Sequence, residues 1–230
     1  MRRQHPIRVK KDCLIFHTTE YILLQYVLYN GFIFEIGVTV AYEKIGIAGT
    51  SASGKDTAAD HLAELGYLHV STAEIIRQEA QRLYGNEDQY VLRKVGHELR
   101  QRQGPAATCL LGLSRYMEQR HLYRGVVISG FRAVAPAQAI RDVGGVLLAI
   151  DAPPEIRYQR QVGRARPGES RSYEEFLAFE EEELAGTLST GQDIRGVQRI
   201  SDVQIYNDGD LPTFLRQVET AVGLDTSTAA

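Results

Sequence analysis

Nine residues, Gly49-Thr50-Ser51-Ala52-Ser53-Gly54-Lys55-Asp56-Thr57, follow directly on the apolar run Ile45-Gly46-Ile47-Ala48 and lead into Ala58-Ala59-Asp60-His61-Leu62-Ala63-Glu64-Leu65. The apolar run reads as a short buried strand and the last stretch as a helix that stops at Gly66. A strand, a glycine-bounded loop and a helix N-terminus in that order constrain the fold more than any other feature of the chain. Glycines let the backbone curl so that successive N–H groups point inward, and the helix N-terminus adds positive potential at the same place. Such a concavity suits phosphate oxygens.

The pattern GxxxxGK with a Ser or Thr within two residues, in this context of strand, loop and helix, is that of a P-loop. Gly49, Ser51, Ala52, Ser53, Gly54, Lys55, Asp56 and Thr57 are therefore expected to hold ATP, with Lys55 reaching the β and γ phosphates. In most P-loops the residue directly after the lysine is a hydroxyl that ligates Mg²⁺. Here Asp56 stands in that place, so Thr57 is the expected Mg²⁺ ligand.

From Lys44 onward, short apolar runs alternate with longer helical patterns. Strands are expected over 45–48, 67–70, 126–128, 146–150 and 203–206. Helices are expected after the loop and over 72–84, 88–103, 106–121, 136–143, 154–163, 173–185 and 211–222, with nothing regular between 186 and 202. The alternation implies an α/β fold of three layers, a parallel five-stranded sheet flanked by helices. The basic loop from Arg164 to Arg171 and the helix after it form at most a short lid. The acidic run from Glu174 to Glu183 reads as a solvated helix face.

The chain has 230 residues, enough for one well-buried domain, and a net charge of −3 that does not advertise nucleic-acid binding. Its two cysteines, Cys13 and Cys109, have no metal-ligand spacing and read as free thiols in a reducing compartment, the cytoplasm. The six histidines are scattered and match no metal pattern. Residues 1–43 form an extension, 44–224 the phosphate-binding domain and 225–230 a disordered tail. Within the extension, basic residues 2–11 followed by the largely apolar Tyr21 to Tyr42 resemble a membrane-anchor pattern, but Gln25, Asn30, Gly31 and Glu35 interrupt it, which favours a strand or hairpin, or a poorly ordered extension, over a membrane span.

Several downstream segments resemble the P-loop nucleoside monophosphate kinase superfamily, which includes adenylate kinases, phage-type deoxynucleoside monophosphate kinases and dephospho-coenzyme A kinases. Lys55-Asp56-Thr57-Ala58-Ala59-Asp60-His61-Leu62 looks like the deoxynucleotide kinase version of the loop, and His69-Val70-Ser71-Thr72-Ala73-Glu74-Ile75-Ile76-Arg77 is similar to an adenylate kinase acceptor segment. Ser129-Gly130-Phe131-Arg132, followed by Gln138, resembles a DGFxR…Q segment. Arg160 and Arg164 match an RxxGR at the lid, Gly96 to Arg100 resembles a GxELR segment, and Tyr206-Asn207-Asp208-Gly209 resembles a closing NDG. The resemblance spans about Lys44 to Val222.

It implies an ATP- and Mg²⁺-dependent kinase with a small-molecule nucleotide acceptor, a nucleoside or deoxynucleoside monophosphate. Dephospho-coenzyme A kinase and a non-catalytic nucleotide-binding protein are the alternatives. By the same resemblance, Lys55, Arg132, Arg160 and Arg164 are the catalytic candidates, and Thr72, Arg77, Arg100, Arg132 and Gln138 bind the acceptor. Phosphoryl transfer between two anionic molecules independently calls for such arginines, because it proceeds by alignment and charge neutralisation; Arg157, Arg166 and Arg171 are further candidates. One departure stands out: Ser129 occupies the place of the usual Asp, so its role toward Mg²⁺ would pass to Asp56 or Asp151.

Overall fold

The computed structural model describes residues 22–29, 32–39, 41–164, 172–184 and 192–224. Contacts divide the chain into two units, one up to Ala41 and one from Tyr42. In the first, β1 (Ile22–Tyr29) and β2 (Phe32–Thr39) pair antiparallel in a hairpin, with Tyr29 opposite Phe32. Among the described residues no helix is long and apolar enough to cross a membrane.

The second unit is built on five parallel strands: β3 (Lys44–Gly49), β4 (Tyr67–Ser71), β5 (Gly125–Phe131), β6 (Val146–Asp151) and β7 (Val203–Tyr206). Their order across the sheet is β4-β5-β3-β6-β7, which puts the strand that feeds the phosphate loop at the centre. The interior strands are apolar without alternation, since both faces are covered: Val146 to Ala149 and Val126 to Ile128 are all buried.

Helices α1 (Lys55–Glu64) and α9 (Leu211–Ala221) cover one face, packing Ala58, Leu62, Phe214 and Val218 on Ile45, Ile47 and Leu148. On the other face lie α2 (Thr72–Tyr84), α4 (Ala107–Gln119) and α5 (Val134–Asp142), with Ile75, Tyr116 and Ile140 in the core. Helix α3 (Gln89–Gln103) is held against α2 and α4 through Ala80, Val95, Leu99 and Ala107. Helices α6 (Pro154–Arg164) and α7 (Tyr173–Leu184) follow β6.

Three features differ from the sequence expectation. Helix α1 starts at Lys55 inside the loop motif, so its first turn belongs to the phosphate cradle. Strand β5 runs on through Phe131, which makes Ser129 and Gly130 strand residues. A further helix, α8 (Ile194–Ile200), fills the stretch read as irregular; the Asp193 side chain caps it by accepting from the Gly196 N–H, and Ile194 and Val197 are buried. Its two turns are too short for a periodic pattern to show.

Tyr42 and Glu43, grouped by sequence with the extension, hydrogen bond within this unit. The Tyr42 N–H donates to the Val222 carbonyl at 3.0 Å, and the Glu43 carbonyl accepts from the Val126 N–H at 2.8 Å. The basic residues 2–11, Cys13, Arg166, Arg171 and the tail 225–230 lie outside the described residues.

Candidate functional site

The loop leaves β3 at its carboxyl end and is clamped from several sides. A Cβ on Gly49 would stand 2.2 Å from the Ile150 carbonyl oxygen, so only glycine lets the chain turn against β6 here. Gly54 caps α1 at φ 104°, a left-handed conformation, and a Cβ there would lie 2.4 Å from the Asn207 amide nitrogen. No side chain caps α1, which leaves its first N–H groups facing the loop. Ala52, a residue with a Cβ, is also left-handed at φ 57°; strain of this kind collects where the surroundings over-determine a functional loop.

A cleft of about 440 Å³ opens beside this loop, lined by Ala52, Gly54, Lys55, Asp56, Thr57, Arg160, Arg164 and Asn207, with Gly209, Leu211 and Phe214 as its more apolar wall. The Lys55 ammonium lies 4.0 Å from the Asp56 carboxylate. Arg160, from α6, donates to the Ser53 carbonyl at 3.4 Å and to the Asn207 carbonyl at 3.3 Å, and Arg164 donates to the Ser51 hydroxyl at 3.3 Å. Both arginines thus stand over the loop. Asn207 donates from its amide to the Ser53 carbonyl at 2.8 Å and fixes the turn from β7. Gly49, Ser51 and Ser53 shape the loop without lining the cleft. Among the described residues the buried Ser53 hydroxyl has no hydrogen-bond partner.

On the side of β4 and β5 lie two further cavities. One of about 190 Å³ is lined by Thr72, Arg100, Gly130, Phe131, Arg132 and Gln192 among others. The other, of about 410 Å³ between α2 and α3, includes Arg77, Arg93, His97, Arg100 and Gln192. They share Ala73, Ile76, Arg100 and Gln192 and so adjoin. Thr72, Arg77, Arg100 and Arg132, far apart in the chain, line this one region. Thr72 donates its hydroxyl to the Gly130 carbonyl at 2.9 Å, which joins the start of α2 to the end of β5. Gln138 lies in neither cavity; its amide donates to Asp142 at 2.9 Å along α5.

Comparison with known proteins bears on the same segment. The AAA_18 family model, described as AAA domain, matches residues 45–184, more than half of the chain. The chain belongs to this AAA domain family. The match runs from β3 through α7 and takes in the phosphate loop, Thr72, Arg77, Arg93, Arg100 and Arg132 of the two cavities, and Arg160 and Arg164 of α6, but not Gln192 or Asn207. A UPF0200 protein of Thermococcus sibiricus is 27% identical over 179 residues, covering 76% of this chain and 91% of that one. A solved structure of TT1252 from Thermus thermophilus is 21% identical with a TM-score of 0.49, covering 79% of this chain and 96% of that one. A shikimate kinase from Acinetobacter baumannii is 17% identical with a TM-score of 0.46, covering 82% and 95%.

Two networks in this AAA domain chain went unseen in the sequence. Ser129 is buried, and its hydroxyl meets His69 Nε2 at 2.8 Å while His69 Nδ1 meets Asp60 at 3.1 Å. The residue standing in the usual place of Asp is thereby committed to β4 and α1, and it lines neither the cleft nor the cavities. Asp151 is also engaged: it accepts from the Thr50 hydroxyl at 2.6 Å and lies 3.5 Å from Arg157.

The second network corrects the reading of the acidic helix at one position, while Glu174, Glu175 and Glu181 are exposed as expected. Glu180 is not solvated but buried, in an ion pair with the equally buried Arg157. Arg157 donates to the Ala152 carbonyl at 2.7 Å and lies over the Phe176 ring, and burial pulls its pKa below the usual arginine value. It supports the loop from behind, outside the cleft. Asn207 and Gln192 are the other residues missed as site members. The NDG sequence marked Asn207; no sequence signal marked Gln192, whose Oε1 accepts from Arg132 at 3.5 Å.

Proposed function

We propose that this chain is an ATP- and Mg²⁺-dependent kinase that transfers the γ-phosphoryl group to a nucleoside or deoxynucleoside monophosphate. The observation that carries this reading is the pairing of a phosphate loop, overhung by Arg160 and Arg164, with a separate arginine-lined region at the ends of β4 and β5. An ATPase needs only the first; a kinase whose acceptor is a phosphorylated molecule needs a second anion-binding region.

In this reading Lys55 and the loop N–H groups hold the β and γ phosphates. Arg160 and Arg164 neutralise charge on the transferring group, while Thr72, Arg77, Arg100 and Arg132 hold the acceptor. An oxygen of the acceptor phosphate forms the new bond to the γ phosphorus as the bond to the β-phosphate oxygen breaks, and ADP leaves. Mg²⁺ takes few protein ligands and keeps waters and phosphate oxygens. Thr57 and Asp56, both on the cleft, fit that donor set, and among the described residues no larger acidic cluster competes for it. The ion would supply neutralisation of the bridging phosphate oxygens.

A coupled ADP-release assay across the common nucleoside and deoxynucleoside monophosphates and dephospho-coenzyme A tests the proposal. At least one monophosphate should be turned over, and Lys55→Ala should lower kcat/KM by about 100-fold or more, the scale of one preorganised charged donor. Product from dephospho-coenzyme A alone, or nucleotide binding without transfer to any acceptor, would overturn it.

A further inference from the structure

The region assigned to the acceptor holds more positive charge than one phosphate needs. Arg93, His97 and Arg100 follow one another at i, i+4 and i+7 on α3, a single stripe of the helix, and all three line the 410 Å³ cavity together with Arg77. Among the described residues no carboxylate lines this cavity or the adjoining one that contains Arg132. Neighbouring arginines have found acidic partners: Arg77 pairs with Glu74 at 3.1 Å, and Arg82 and Arg102 share Glu79 at 2.7 and 3.8 Å. Among the described residues Arg93 and Arg100 form no such pair. Arg93 and Arg100 are exposed on this stripe, so both guanidinium groups are open to an anion that enters the cavity. Arg132 lines only the smaller cavity and Arg93 and His97 only the larger, with Arg100 common to both, so a phosphate held at Arg132 and Arg100 leaves Arg93 without a counter-charge. The wall between them is apolar, with Ala73 and Ile76 shared by both cavities.

We infer that the acceptor carries a second anionic group, distant from the one that receives the phosphoryl group, and that Arg93, His97 and Arg100 hold it. The chemical class is a nucleotide with phosphates at two positions, such as a nucleoside 3′,5′-bisphosphate, whose sugar and base lie on the apolar wall. This rests on the acceptor site proposed above and narrows it.

Titration calorimetry on the full chain, preloaded with an unhydrolysable ATP analogue and Mg²⁺, compares the 3′,5′-bisphosphates of the common nucleosides with their 5′-monophosphates. For at least one base the bisphosphate should bind about tenfold tighter or more, the scale of one charge-assisted contact. Arg93→Gln and Arg100→Gln should each shrink that advantage, while Arg82→Gln, off the cavity, should keep it; circular dichroism checks that each variant folds. Bisphosphates no tighter than monophosphates for every base, or an advantage that survives Arg93→Gln, would overturn the inference. Should the advantage hold while no acceptor yields ADP, the kinase reading falls and the second anion site stands.

Discussion

Asn207 illustrates how one amide can govern a loop 154 positions away in sequence. It is buried at 6% exposure, and its side chain serves the Ser53 carbonyl directly before the left-handed Gly54. Replacing it by alanine leaves that carbonyl with only the longer bond from Arg160. Asn207→Ala should therefore lower stability by about 0.5–1.5 kcal/mol, the net worth of one hydrogen bond, and weaken nucleotide affinity as well. Chemical denaturation and nucleotide titration of the variant check both. The loop itself was legible because its glycines, lysine and helix start are contiguous. The NDG pattern marked Asn207 but not its contact with the loop, and nothing marked Gln192, since both roles arise only when the end of β7 and the start of α8 are brought beside segments far upstream.

Among the elements, α7 is the one whose sequence hid its packing. Its glutamates read as one solvated face, but Phe176 and Glu180, four residues apart, turn to the same side and meet Arg157. Tyr158, Tyr173 and Phe176 add an aromatic cluster with ring centroids 5.2 and 5.7 Å apart. Breaking a buried ion pair leaves one group uncompensated, whereas removing both charges together is often neutral. Glu180→Gln should cost about 3 kcal/mol, and the double variant Arg157→Met, Glu180→Leu should recover much of that loss. Urea denaturation of the single and double variants checks the order. Without Arg157 behind it, Asp151 loses a cation at 3.5 Å, so the double variant should also loosen the Thr50 end of the loop. Helix α8 escaped sequence reading for a different reason: two turns give one short apolar stripe, Ile194, Val197 and Ile200, and only Asp193 announces the start.

For the molecule as a whole, alternation of strands and helices carried the parallel three-layer architecture, because both-face burial writes continuous apolar runs into the interior strands. The order of the strands follows from crossovers that no local pattern records. Glu43 ties the start of β3 to α4, accepting from the Tyr116 hydroxyl at 2.8 Å and lying 3.2 Å from Arg120. The Tyr116 hydrogen bond, with Lys44 and Arg120 adding to it, holds the Glu43 carboxyl below its ordinary value of 4.5 in the folded state. A lowered folded-state pKa means stability that is present above 4.5 and lost as pH falls through the folded value. Glu43→Gln should thus be less stable than the parent at neutral pH and should lose less on acidification below 4.5, as thermal melts across that range will show.

Strand β3 is flanked on both sides, by β5 and by β6, and its interior residues Ile45 and Ile47 have no exposed surface. Fraying at the borders, β4 or β7, leaves it intact, so its amides exchange with solvent only when the entire sheet comes apart. A molecule seated in the turn that β3 feeds is therefore bound to the most persistent part of the protein. Its binding energy opposes global unfolding rather than tightening a local flap, and the melting temperature becomes a direct reporter of occupancy.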